Sequence, residues 1–315
     1  MRLGKYPTPV DRIGDRLWIK RDDLSAEPYG GNKVRKLERF FDDAEGQGKR
    51  RILTLGAAGS HQVLATSIYG RARGFDVEAV LVPQPSTPHA RVNLSIALGA
   101  GLVAHPAPAW ALGPPLVATL LARDRGRDYF VPLGGSNVEG SLGYVDAARE
   151  LAAQIKEGLL PEPDVVIVAL GSGGTAAGLA AGFEDAKLRT RVVGVAIAHP
   201  ARVLLVMAHR LTRDIAKSIA LTPARAAARL EVDRKWVGKG YGFETPEVEA
   251  AIAEGAKLGV TLDPTYTAKA FACALARSRA TSSNERVLFW HTLSTHPLDA
   301  LPRAEIPSNL ARLLR

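Results

Sequence analysis

The chain is predicted to be an α/β protein built on two parallel sheets, and three observations predict it. Short apolar runs of strand length alternate with helix-length segments, which implies parallel strands joined by right-handed crossovers. One run, Asp164-Val-Val-Ile-Val-Ala-Leu170, opens into the turn Gly171-Ser-Gly-Gly-Thr175 and a helix. The runs also fall into two series, one from about 47 to 140 and one from about 160 onward. The expected division is a small α/β domain at 47–140 and a large α/β domain formed by 1–46 plus 141–315, which carries the glycine-rich turn.

Each element follows from its residues. The run at 17–21, Leu-Trp-Ile-Lys-Arg, is a short strand, and a helix opens at Lys33 and continues to about Ala44. Strands are expected at 51–55, 77–82, 102–105 and 128–131, with helices at 61–74, 88–98 and about 115–123 between them. The stretch 134–143, with four glycines, reads as a loop before a helix that continues through Lys156. Strand 165–170, the glycine-rich turn, helix 175–183 and strand 192–198 come next. The segment 218–235 reads as a helix and then a basic loop, and a last apolar strand covers 286–291.

Composition narrows the functional classes. With 315 residues, 46% hydrophobic and 23% charged, the chain has the make-up of an ordinary globular enzyme. One cysteine, Cys273, excludes an internal disulfide framework. Its setting, Ala-Phe-Ala-Cys-Ala-Leu-Ala, reads as helix core rather than nucleophile. Charges at Arg2, Lys5, Asp11, Arg12 and Asp15 leave no room for a signal-peptide apolar core, so the expected location is the cytoplasm. No apolar stretch approaches the ~20 residues of a membrane span. The net charge of +9 is spread over many segments without aromatic interleaving, so neither nucleic acid nor membrane is expected as a partner. The seven histidines show no metal-ligand spacing, and no metal is expected.

The chemistry concentrates in two places. Lys33 follows Gly30-Gly31-Asn32 and opens a helix, with Lys36 three residues on, on the same side of the first turn. A lysine at a rigid bend with a second cation beside it suits a covalent amine plus a phosphate-binding charge. Residues Gly171, Ser172, Gly173, Gly174 and Thr175 offer backbone donors and two hydroxyls at a helix start, which is a phosphate cradle. The same turn fits Gly-x-Gly-x-x-Ala, yet a dinucleotide site needs an acid at the end of the next strand, and that strand reads Val195-Ala-Ile-Ala-His199. A Schiff-base lysine with a monophosphate cradle points to pyridoxal 5'-phosphate. Ser60, after Gly56-Ala-Ala-Gly, starts a helix and serves as its N-cap, a substrate-carboxylate site, or both. Tyr241 and Tyr266 sit in loops fixed by Gly or Pro.

These residues resemble, nearly end to end, the 1-aminocyclopropane-1-carboxylate deaminase / D-cysteine desulfhydrase family of fold-type II pyridoxal-phosphate enzymes, related to tryptophan synthase β. The matching pieces are Lys20-Arg-Asp-Asp23, Gly30-Gly-Asn-Lys-Val-Arg-Lys-Leu-Glu38, Pro132-Leu-Gly-Gly-Ser-Asn137, Leu142-Gly-Tyr144, Gly171-Ser-Gly-Gly-Thr175, Gly240-Tyr-Gly242, Asp263-Pro-Thr-Tyr-Thr267 with Lys269, and Phe289-Trp-His-Thr292. The resemblance implies two three-layer α/β/α domains and a homodimer. It implies that Lys33 carries the cofactor covalently and that Lys36 and the 171–175 turn hold its phosphate. Asn32 and Thr292 are implied as further cofactor contacts, Ser60 as the substrate-carboxylate site, and Tyr241 and Tyr266 as the residues flanking substrate and ring. Thr267 is implied to lie near the pyridine nitrogen, where cyclopropane-opening members place a glutamate. Without a carboxylate there the ring is a weaker electron sink, which still suffices to eliminate a good leaving group from Cβ.

The expected reaction is therefore α,β-elimination from a small amino acid, giving a 2-oxo acid and ammonia. The alternatives are cyclopropane deamination, β-replacement, or a pyridoxal-phosphate-binding protein without turnover. The chain departs from the family in three places. Ser60-His61-Gln62 replaces Ser-Asn-His, so His61 would take the asparagine's contact with the cofactor's 3′-oxygen; His291-Thr-Leu-Ser294 replaces His-Thr-Gly-Gly; and Leu258-Gly259 replaces Glu-Gly.

Overall fold

A computed structural model of the chain describes residues 2–109 and 126–315. The helix expected around 115–123 lies outside the described residues. The chain forms two compact units, the first comprising Met1–Leu3, Leu37–Gly135 and Pro297–Arg315, the second Gly4–Lys36 and Ser136–His296.

The first unit holds a four-stranded sheet in the order β5-β4-β3-β6. Its strands are β3 (Arg51–Ala57), β4 (Asp76–Val82), β5 (Val103–Pro106) and β6 (Asp128–Phe130), and all pair in parallel. Between them run α2 (His61–Ala72) and α3 (Pro88–Gly99). Helix α1 (Lys33–Gly46) begins in the second unit, and from Leu37 its residues belong to the first. There Phe41 packs on Phe75 with ring centroids 5.5 Å apart. The C-terminal segment joins the same unit through a side-chain and a backbone contact, Ser95 Oγ donating to Ala304 O at 2.7 Å and Gln84 pairing with Leu314 in a parallel bridge.

The second unit holds a six-stranded sheet in the order β1-β2-β10-β7-β8-β9. Its strands are β1 (Val10–Arg12), β2 (Leu17–Lys20), β7 (Val165–Leu170), β8 (Arg191–Ala196), β9 (Leu230–Asp233) and β10 (Val287–Trp290). Only β1 runs antiparallel, at the edge against β2. The central strands are buried on both faces, and their side chains alternate between two cores. Ile19, Ile167, Val193 and Phe289 point to one core, which contains Val248 and Phe271. Those two come from α8 (Pro246–Lys257) and α9 (Thr267–Arg279). Trp18, Val166, Val192, Leu288 and Trp290 point to the other core, with Tyr144, Leu151 and Leu179. That face is covered by α4 (Val138–Lys156) and α5 (Gly174–Asp185). This period-2 division makes three layers of the second unit. The remaining helices are α6 (Ala201–Ser218), α7 (Pro223–Ala228) and α10 (Ser308–Ala311).

The expected α/β class with parallel sheets is what the structure shows, with three local corrections. Helix α4 starts at Val138 rather than after a loop to 143, because Asn137 Oδ1 accepts Gly140 N–H at 2.9 Å and caps it. Residues 230–233 are not basic loop but β9, in parallel register with β8 from Val192↔Leu230 to Val195↔Asp233. Strand β1, absent from the sequence reading, is too short and too exposed to show an apolar pattern.

Candidate active site

The Gly30-Gly31 turn exists because two backbones pass close together. Gly31 has φ +85°, and a Cβ there would lie 2.6 Å from Thr292 O. Asn32 N–H donates to Thr292 O at 3.1 Å and Gly30 N–H to Ser294 Oγ at 2.9 Å, so the turn is fastened to the segment after β10. Lys33 therefore opens α1 from a fixed bend. Burial lowers the pKa of its half-buried amine to about 8. Lys36, one helical turn on, is almost fully buried. Burial and then the Lys33 ammonium push its pKa well below the ordinary lysine value.

The second feature is the turn after β7. Gly173, at φ +89°, is the N-cap of α5. Asn32 Nδ2 donates to Thr175 Oγ1 at 3.0 Å, which joins the lysine turn to this one. Gly174 N–H donates to Ser136 Oγ at 3.1 Å, Ser136 and Ser172 hydroxyls lie 2.7 Å apart, and Lys36 Nζ donates to Ser136 Oγ at 3.3 Å. A Cβ added to Gly174 would come within 2.5 Å of Ser136 Oγ, 2.8 Å of Lys36 Nζ and 2.9 Å of Ser141 Oγ. Ser141 Oγ is buried and has no hydrogen-bond partner among the described residues. An orphaned hydroxyl, a buried ammonium and the open amides of a helix start are the donor set of a phosphoryl group. The residues present thus fit pyridoxal phosphate. Ser136 and Ser141 carry no role in the sequence reading; their signal was Ser-Asn after Gly-Gly, ahead of a helix.

On the same unit, Tyr266 is the N-cap residue of α9, and its hydroxyl donates to Tyr241 Oη at 2.8 Å. The rings are nearly perpendicular, at 85°, with centroids 5.7 Å apart. Burial raises the pKa of both phenols, and for Tyr266 the Tyr241 hydroxyl adds to the rise. Tyr29, almost fully buried, is close enough to contribute to the Tyr266 shift, and the sequence reading gave it no role. Asp263 organises the start of α9. Its Oδ2 accepts the Thr265 and Tyr266 N–H groups, and its Oδ1 accepts Thr267 N–H and the Thr267 hydroxyl, the latter at 2.7 Å. The Thr267 hydroxyl is thus engaged within its own turn, where it also accepts Asp263 N–H at 2.8 Å. Lys269 Nζ, completely buried, donates to Val237 O at 2.8 Å and Gly240 O at 2.9 Å, on either side of Gly238-Lys239 in the segment that precedes Tyr241.

In the first unit, Ser60 is the N-cap of α2. Its Oγ accepts the Gln62 and Val63 N–H groups at 3.2 and 3.4 Å. The turn before it is held by Gly59, whose N–H donates to Gln84 Oε1 and whose carbonyl accepts Asn93 Nδ2, each at 3.0 Å. His61 faces His89, at the start of α3, with the two Nε2 atoms 3.1 Å apart. Among the described residues no group of three or more His, Cys, Asp or Glu could hold a metal ion. No helix among them is long and apolar enough to cross a membrane.

The parallel sheets and the donors gathered around Lys36 and Gly174 fit a fold-type II pyridoxal-phosphate enzyme. The model of the family "Pyridoxal-phosphate dependent enzyme" matches residues 1–292, and the chain belongs to that family. It is 33% identical over 305 residues to a D-cysteine desulfhydrase of Yersinia enterocolitica, covering 92% of this chain and 90% of the relative. It is 33% identical over 292 residues to a D-cysteine desulfhydrase of Klebsiella pneumoniae, covering 86% of each. The crystal structure of an ACC deaminase homologue superposes with a TM-score of 0.80 at 29% identity, over 99% of this chain and 95% of that one.

Proposed function

We propose that the chain catalyses α,β-elimination from a small amino acid, in the manner of a D-cysteine desulfhydrase, yielding a 2-oxo acid and ammonia. The observation that carries this reading is the hydrogen-bonded path from Lys36 through Ser136 to Gly174, which gathers the Lys33 turn and the 171–175 cradle around one anion position. When bound, pyridoxal phosphate supplies the electron sink that stabilises charge at Cα. Lys33 is the covalent anchor and, when freed, the base that takes the Cα proton; burial lowers its pKa to about 8, which raises the neutral fraction of its amine near physiological pH. Lys36, Ser136, Ser141 and the amides of 171–175 neutralise the phosphate. Ser60 and the start of α2 are assigned the substrate carboxylate, with His61 beside them. Tyr266 and Tyr241 form a proton-sharing phenol pair that orients the leaving group, which departs from Cβ with its electron pair; the released enamine then takes up water and loses ammonia. Thr267 and Thr292 are assigned to the cofactor ring, and neither brings a carboxylate to it.

The buried single cysteine supports a reducing, cytoplasmic setting. The exposed apolar residues Val203, Val206 and Met207 on α6 are compatible with a homodimer.

The test is product analysis with D-cysteine, L-cysteine, D-serine and 1-aminocyclopropane-1-carboxylate. Sulfide, pyruvate and ammonia from a cysteine are expected. 2-Oxobutyrate from the cyclopropane substrate alone, a β-replaced amino acid, or a yellow protein that releases no ammonia from any of the four would overturn the elimination reading.

A further inference from the structure

We infer that Lys269 is a positioning residue that latches the Tyr241 loop onto the helix start bearing Tyr266, and so sets the phenol pair. The inference rests on the reading of Tyr241 and Tyr266 as the substrate-facing pair.

Within the loop the backbone makes two turn hydrogen bonds, Gly240 N–H to Val237 O at 3.1 Å and Phe243 N–H to Gly240 O at 3.4 Å. Gly238, Gly240 and Gly242 have φ of +60°, +120° and +80°, conformations open to glycine and to few other residues. Glycines at three alternate positions leave Tyr241 on a backbone with many accessible states. Opposite stands Lys269, the third residue of α9. A cation is least favoured in the first turn of a helix, where the backbone dipole is positive. This one is also fully buried. A side chain needed only to fill space there would be methionine or leucine. What the ammonium gains is two carbonyls, Val237 O at 2.8 Å and Gly240 O at 2.9 Å. These carbonyls flank residues 238–239, and the second belongs to the residue before Tyr241. Asp263, the nearby carboxylate, is occupied by the N–H groups of 265–267 and the Thr267 hydroxyl. A further tie on the loop is His199 Nε2 to Gly238 O at 3.1 Å, and that contact is exposed. Helix α9 therefore holds both phenols, Tyr266 directly at its N-cap and Tyr241 through Lys269. The 2.8 Å hydroxyl contact follows from that double attachment.

The test uses the cofactor-loaded enzyme, D-cysteine turnover, and the variants Lys269→Met, Lys269→Arg, Tyr241→Phe and the Lys269→Met/Tyr241→Phe double variant. Lys269→Met should bind the cofactor with an unchanged absorbance band, since Lys33 and the cradle are untouched, and lose about tenfold or more in kcat/KM. Lys269→Arg, which keeps the charge and the donors, should recover most of it. In the Tyr241→Phe background the methionine substitution should cost nothing further. Full additivity of the two losses, or wild-type kinetics in Lys269→Met, overturns the inference. Hydrogen–deuterium exchange of the wild-type protein decides it independently of turnover. The amides of 237–242 should be protected comparably to α9, and free exchange there overturns the latch. Wild-type activity in Tyr241→Phe with a protected loop would instead bring down the role given to Tyr241, and with it the catalytic purpose of the latch.

Discussion

At the residue scale, Lys33 shows how a local bend becomes chemistry. Its neighbours in sequence give it a fixed position, and burial then lowers its pKa to about 8 from the usual lysine value. The sign of the consequence is fixed. A base whose pKa is depressed in the folded state destabilises the fold while protonated, and that cost is relieved as pH rises through the folded value toward the unfolded one. The metal-free, cofactor-free protein should therefore gain stability between pH 8 and about 10.5, and Lys33→Met should flatten that part of the profile. In the proposed function the same amine, when neutral, is the group that would attack the cofactor aldehyde. Reconstitution of the apo protein should accelerate with pH to a plateau above about 8, slowing about tenfold for each unit below it. Stopped-flow absorbance measures this, and a rate independent of pH would remove Lys33 from the role. Lys33→Ala should abolish the visible band altogether.

At the scale of elements, each half of the cradle is made where a helix begins against something that cannot be moved. Helix α5 starts at Gly174 because the residue before it sits at positive φ and because Ser136, just before α4, and Ser141, near its start, occupy the space where a side chain would go. Gly174→Ala pushes a methyl group into Ser136 Oγ and Lys36 Nζ. Those donors would be displaced from the phosphate, and cofactor affinity should fall by at least about tenfold, roughly 1.4 kcal/mol. Far-ultraviolet dichroism should stay unchanged, since the helix itself tolerates alanine well. Titration with pyridoxal phosphate reads the outcome, and an undiminished affinity would show that the anion sits elsewhere.

At the scale of the whole molecule, the second unit is organised around buried charge as well as apolar packing. Asp22, fully buried, accepts from Arg35, the Thr8 and Tyr144 hydroxyls and Trp290 Nε1, while Glu150 accepts from Arg35 and Lys20. The network ties β2, α1, α4 and β10 together around the bend that presents Lys33. Burial pushes the Asp22 and Glu150 carboxyls up, but Arg35 and their hydrogen bonds bring both below the ordinary range. Their contribution is complete above the ordinary carboxylate pKa and is lost as pH falls through the lowered values, so acid unfolding should begin below about pH 4. Arg35→Met strands Asp22 without its counter-ion and should cost about 3–5 kcal/mol in urea unfolding at neutral pH. A loss below 1 kcal/mol would mean that the network is not what holds this unit.

By itself the sequence determined the α/β class and the cofactor, and singled out the lysine proposed to carry it, because these depend on short-range signals: apolar runs of strand length, glycines at strand ends, and Gly-Gly-Asn before Lys33. Only the tertiary structure decided who completes the cradle. Ser136 and Ser141 lie more than thirty residues from Gly174 in the chain, and no local pattern says that α4 and α5 start side by side. Tyr29, the partner of the Thr267 hydroxyl and the two carbonyls held by Lys269 were hidden for the same reason. Strand β9, Leu230-Glu-Val-Asp233, was masked by the basic residues beside it, Arg229, Arg234 and Lys235. Local conformation is written in neighbouring residues, whereas a hydrogen bond across a fold is set by where whole elements pack.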